Sequence, residues 1–331
     1  MKRYIKKILP GTREYYYRRL FRRVSRRKLG RFLRHLGVEE GAVVFVHTAL
    51  GQLGYFPGGP LALIGLLKEL VGESGTLSMP AASFPGTMED FVASEPLFDV
   101  ARTPSKVGAL TECMRTYPGT LRSLHPTHSI CALGARAEEL IEGHEHCLGP
   151  CGADSPFGRL AEMDAKILRI GTGALTLYHH VQELVDYPNL FLPQTVDLPC
   201  LDYSGNELRV RTRVYRKHVP GVLFLGDDEG DQLLNVHPRN FPLLYSGNQE
   251  TFLRRDPRRQ QALAKLLEIR DFFVGEGWLR IGELNTCKCE VFGVREFVDY
   301  AVVKARELLS TFGEKYEMDS LRKLREDGGY P

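Results

Sequence analysis

The sequence predicts an α/β fold, a mixed central sheet flanked by helices, and three local patterns carry that expectation. The first is a strand–loop–helix–strand unit: an apolar run at residues 42–46, a glycine-rich loop, helical periodicity over residues 61–71, and a second apolar run at 75–80 that ends at a proline. Short, uninterrupted apolar runs suit parallel strands buried on both faces. The second is the stretch LRIGTGALTLYHHVQE at 168–183, where an apolar run is broken by Gly171 and Gly173 and a helix begins. The third is residues 191–250, β-like, with polar turns at 202–205 and 226–230.

The remaining elements follow in order. Between Thr12 and Leu36 the apolar residues Tyr17, Leu20, Phe21, Val24, Leu29, Phe32, Leu33 and Leu36 recur every three or four positions with arginines between them, a basic amphipathic helix or pair of helices. Residues 84–106 read as a long loop, 107–117 as a helix, 129–134 as a strand and 137–141 as a helix. A Gly/Pro/Cys-rich loop fills 143–158, and helices are expected over 258–274 and 294–311. The chain divides into a basic extension (1–28), one large domain (29–315, with 191–250 either a substrate-covering insertion or a second domain) and a polar tail (316–331).

Charge is unevenly placed. The chain of 331 residues has a formal net charge of +3, but residues 1–35 hold fourteen Lys/Arg against Glu14 alone, leaving the remainder at −10. A mildly acidic body argues against a nucleic-acid-binding domain, while the basic start suits an anionic membrane surface or an anionic partner. No stretch reaches the roughly 20 apolar residues of a membrane span, and no apolar run follows the basic start as in a secretory signal. The seven cysteines are scattered, which with no export signal leads to an expectation of free thiols in a reducing cytoplasm. His144, His146, Cys147 and Cys151 match no common zinc spacing, so no metal is expected.

Two segments carry candidate chemistry. On the helix after Gly173, His179 and Glu183 are four apart, His180 and Glu183 are three apart, and Thr176 stands where a cap belongs. An imidazole oriented by a carboxylate is a good general base near neutral pH; a satisfied histidine beside a surface glutamate accounts for the pattern equally well. In the loop after the first strand, glycines at 51, 54, 58 and 59 precede a helix, a setting in which backbone amides cradle phosphate. That loop is neither a Walker loop nor the dinucleotide fingerprint.

Taken together and in order, VHTALGQLG (46–54), PGG (57–59), GTLSMP (75–80), TPSKVGAL (103–110), LRSLHP (121–126) with Ser129 and ALG (132–134), DSPFGRL (154–160), LRIG (168–171) and TLYH (176–179) resemble the aminoglycoside 3-N-acetyltransferase family. This family of antibiotic N-acetyltransferases has a fold distinct from the common acetyltransferase fold, and the resemblance covers roughly residues 30–310. It implies an enzyme that binds acetyl-CoA and acetylates an amine directly, without a covalent acyl-enzyme. It implies a cofactor cradle at His47, Thr48, Ala49 and Leu50, with Ser105, Arg122, Ser123 and His125 also near the cofactor. His179 matches the family's catalytic histidine and Thr176 its threonine. The family places a glutamate three residues after that histidine; here the position is Gln182, and Glu183 follows. Either Glu183 serves His179, or His180 and Glu183 form the working pair. His128 is read as structural and His47 as a residue that orients the loop.

The acceptor expected from this reading is the amine of an amino sugar or a related biosynthetic amine. Aminoglycoside resistance and a catalytically silent CoA-binding protein are the alternatives. The expected setting is cytoplasmic, peripheral at the inner membrane face through the basic extension, with a homo-oligomer also in view.

Overall fold

The computed structural model describes residues 22–216, 268, 270–307, 309 and 310. Its centre is a seven-stranded sheet. Strands β1 (Val43–Thr48), β2 (Thr76–Pro80), β4 (Leu121–Arg122), β5 (Ile130–Gly134), β6 (Lys166–Ile170), β9 (Leu279–Leu284) and β10 (Cys287–Gly293) lie in the order β4-β5-β2-β1-β6-β10-β9. The middle three, β2, β1 and β6, are parallel. Antiparallel pairs β5–β2, β4–β5, β10–β6 and β10–β9 extend both sides, so the sheet is mixed. The parallel trio arises from the expected strand–helix–strand unit, closed by helix α3 (Gly59–Val71).

Alternating residues of β1 face opposite layers. Val44 and Val46 join a core with helices α1 (Arg26–His35), α3 and α5 (Ala109–Arg115). Val43 and Phe45 join the other, with α6 (Ala137–Ile141), α7 (Pro156–Glu162), α8 (Leu177–Leu184) and the helical residues 294–307. Ser25 caps α1 by accepting from Lys28 N. The short helices α2 (Leu50–Leu53) and α4 (Met88–Val92) follow β1 and β2 in the chain.

Residues 84–106, expected as loop, contain α4 and strand β3 (Phe98–Asp99). Elements this short show no periodicity to read. Strand β3 pairs in parallel with β7 (Val196–Leu201), which pairs antiparallel with β8 (Glu207–Thr212), a small second sheet. That sheet is the described part of the β-like region. Residues 217–250 of that region, the tail at 316–331, the extension before Arg22 and most of the expected helix at 258–274 lie outside the described residues. All seven cysteines are unpaired thiols. No helix among the described residues is long and apolar enough to cross a membrane.

Candidate active site

The parallel strands end on one side of the sheet, where ligands gather in open α/β folds. Beyond β6 the chain turns at Gly171, whose φ of +65° and close approach to the Gln52 side chain leave no room for a Cβ. The turn delivers residues 173–176 and α8 to a cleft of about 490 Å³. The end of β2 (Pro80), the loop at Phe84–Gly86, Lys106 and Val107, His128 and Ser129, and Gly173–Thr176 with Tyr178 and His179 line it. Of the predicted site residues, Thr176 and His179 line this cleft and the others do not.

His179 is held on two sides. Its Nδ1 lies 3.1 Å from Gln182 Oε1, an oxygen that can only accept, so Nδ1 carries the hydrogen and Nε2 the lone pair. Its ring stacks on Tyr215 at 4.7 Å between centroids. Burial holds its pKa below the usual histidine range, partly offset by the Gln182 bond, so the ring is neutral at neutral pH. Thr176 occupies the N-cap position of α8 but makes no side-chain cap, contrary to expectation; its backbone there is already helical.

Neither expected histidine–carboxylate pair forms. Glu183 Oε1 accepts from Cys151 N (2.7 Å) and from the Tyr215 hydroxyl. The 149–152 loop packs so closely on this carboxylate that a Cβ at Gly149 would collide with it. Burial raises Glu183 to about 7 despite those two donors. His180 donates from Nδ1 to the Cys151 carbonyl at 2.7 Å and is buried away from the cleft. Spacing of three or four put these residues within reach of one another, but the adjoining loop supplied each with another partner.

Four of the expected cofactor residues, Ser105, Arg122, Ser123 and His125, are buried. Arg122 is 2% exposed, and its guanidinium donates to Thr103 O (2.5 Å), Ala81 O (2.7 Å), Ser83 Oγ and Ser129 Oγ (both 3.0 Å) over the Phe98 ring. Burial lowers it to about 10, still a cation, used to join loops rather than displayed to an anion. Ser123 Oγ accepts from Ile130 N and bonds His144 Nδ1. His125 Nδ1 accepts from Thr127 N and His128 N, its ring stacked on His144 at 4.4 Å. Ser105 N donates to Glu112 Oε2 at 2.8 Å.

In the expected phosphate cradle, the Ala49 amide already donates to Ile170 O at 2.9 Å. Thr48 belongs to β1, and Leu50 opens a helix of four residues. His47 is buried opposite Arg169, which forms an ion pair with Glu290 on the next strand. Burial and the Arg169 charge lower His47 to about 3. Arg169 in turn donates to Gly173 O at 3.4 Å, steadying the loop that walls the cleft.

Sequence reasoning missed three cleft-side groups. His128 lies in the cleft wall, its ring centroid 5.7 Å from His179. Tyr215 touches both rings, 5.2 Å from His128. Lys106 puts a cation in the wall. For His128 the available signal was its place three residues after His125; Tyr215, beyond β8, carried none.

A family model described as aminoglycoside 3-N-acetyltransferase matches residues 45–305. The chain belongs to this family. Aminoglycoside N(3)-acetyltransferase VII of Streptomyces paromomycinus is 38% identical over 180 residues, which are 50% of this chain and 62% of that protein. The match therefore spans less than two thirds of that relative's length. Among solved structures, aminoglycoside acetyltransferase AAC(3)-Xa aligns with a TM-score of 0.66 at 24% identity, covering 90% of this chain and 99% of its own. AAC-IIIb in a binary complex with CoASH aligns at 0.62 and 23%, covering 85% and 96%. At these identities the two structures establish that the fold is the one this family shares.

Proposed function

We propose that the chain is an acetyl-CoA-dependent N-acetyltransferase acting on the amine of an amino sugar or related biosynthetic amine, with His179 as the base. The observation that carries this reading is the bare Nε2 of a neutral, oriented His179 in the wall of the cleft. Family membership and the CoASH named with AAC-IIIb support the acyl donor.

The cleft's chemistry suits that donor. Phe84, Pro85, Val107 and Leu175 offer an apolar wall, Thr176 a hydroxyl and Lys106 a cation. These residues would hold a slim arm that alternates apolar and amide segments and carries phosphate. When bound, acetyl-CoA supplies an activated acyl thioester. His179 takes a proton from the acceptor's ammonium, which is inert until it loses one. The Thr176 hydroxyl would donate to negative charge developing on an oxygen. The chain's walls hold amine and thioester together, replacing a bimolecular encounter.

No Asp or Glu lines the cleft among the described residues, and Lys106 does. That balance favours a neutral or anion-linked amino sugar over a polycation. The relatives' names favour the second reading, an aminoglycoside acceptor. Thiol release from acetyl-CoA across nucleotide-linked amino sugars, aminoglycosides and simple amines separates the two. We expect release with the amino sugars and a loss of about 10²–10⁴-fold in His179→Ala. Efficient acetylation of aminoglycosides alone would replace the acceptor assignment. Bound CoA with no thiol release for any amine would leave a silent CoA-binding protein.

A further inference from the structure

His128 and His179 meet in one cleft, and the hydrogen bonds behind each ring fix where its proton sits. His125 Nδ1 accepts two backbone N–H groups, from Thr127 and His128, so it carries no hydrogen. The Thr127 hydroxyl, 3.2 Å from that nitrogen, must donate to it. Thr127 Oγ1 is then free only to accept, and His128 Nδ1 at 3.1 Å donates to it. His128 is thereby held with hydrogen on Nδ1 and a lone pair on Nε2, the same tautomer that Gln182 imposes on His179. Two bare imidazole nitrogens belong to rings that line the same cavity, 5.7 Å apart between centroids.

The chemistry has use for two. An ammonium acylated by a thioester loses two protons from nitrogen: one before the C–N bond can form, one after it has formed and the nitrogen is again positive. The C–S bond breaks, the departing thiolate sulfur takes up one of these protons, and the other leaves to water. We propose that His128 is a second catalytic base, accepting at Nε2 the proton that the acceptor nitrogen sheds as the amide forms, while His179 accepts the first. One of the two imidazolium protons then neutralises the thiolate. This inference rests on the reading of His179 given above.

The surroundings favour two neutral rings. His128 faces His179 and Tyr215, with His125 and His144 behind Thr127, Lys106 elsewhere in the cleft wall, and Glu183 reaching it only through the Tyr215 hydroxyl. Burial and the neighbouring histidines hold His128 well below the usual range. A rate that needs both rings neutral falls with a slope of two at its acid end, against one for a single base.

The test uses the 331-residue chain, acetyl-CoA and the best acceptor from the amine panel. We expect His128→Gln to lower kcat about 100-fold at near-constant KM and to reduce the acid-limb slope from two to one, with Thr127→Val intermediate. Long-range proton–nitrogen NMR of the histidine rings is expected to show His128 protonated at Nδ1, and this readout needs no turnover. A His128 hydrogen on Nε2, or a His128→Gln enzyme within threefold of wild type while His179→Gln is inactive, overturns the inference alone. A folded wild-type protein with no turnover, or unaltered turnover in His179→Gln, overturns the underlying reading and the inference with it.

Discussion

Gln182 accepts the Nδ1 hydrogen of His179 without bringing charge, so it fixes the ring's tautomer but does little to stabilise the imidazolium. Replacing it by a carboxylate adds a negative charge at hydrogen-bond distance from the ring. A charged partner favours the protonated imidazole, raising its pKa, and a base works only when deprotonated. Gln182→Glu is therefore expected to move the acid limb of the rate profile upward by about 1 pH unit. A pH–rate profile checks this, and an unmoved or lowered limb would show that position 182 does not govern His179. His179 and Thr176 are legible in the sequence because strand, glycines and helix are contiguous there. Arg122, Ser123 and His125 carry no such local pattern, and their cofactor role is implied by the family resemblance alone. Arg122 ends β4, and only the fold reveals that it spends its donors on Ala81, Ser83, Thr103 and Ser129.

Helix α8 is tied to the 149–152 loop and to Tyr215 through one carboxylate, Glu183, and that junction has a pH signature. Burial raises Glu183 to about 7 from an ordinary 4.5, so the folded protein holds this proton more tightly than the unfolded chain does. The sign follows: its favourable contribution is whole below about pH 4.5 and is lost as pH rises through 7, a change of roughly 3 kcal/mol. Both donors reach Oε1, an atom glutamine retains. Glu183→Gln is thus expected to keep the junction while removing that pH dependence. Denaturant unfolding of both proteins at pH 5 and pH 8 measures it, and equal pH dependence in the two would contradict the assignment. At this scale the central unit β1–α3–β2 and the β6–α8 crossing are legible because their apolar runs are long enough to carry a period. Helix α4 and strand β3 are not, and Tyr215 is positioned by backbone pairing between 190–192 and 214–216 that no local pattern encodes.

Across the whole molecule, the α/β class is legible from the strand–helix–strand unit, whereas the order of the sheet is not. β9 and β10 lie more than a hundred residues beyond β6 yet pair alongside it, a long-range choice that periodicity does not record. Charge distribution is legible in full, because it is a property of sequence alone. Residues 1–21 carry seven Lys/Arg and one Glu, and from Arg22 onward basic residues enter the described body: Arg22 bonds Gln52 O at 2.8 Å, and Arg26 pairs with Glu69. The first 21 residues therefore hold surplus positive charge. Each basic residue near an anionic lipid surface is worth about 1 kcal/mol at moderate ionic strength. Our expectation is that the full chain sediments with anionic vesicles and is released as salt is raised, since exposed charge is screened within about 10 Å at 0.1 M. A chain beginning at Arg22 should remain in the supernatant while releasing thiol from acetyl-CoA at the full-length rate. Unchanged vesicle binding by the shortened chain would move the membrane contact to the body, and lost turnover would tie the extension to the cleft instead.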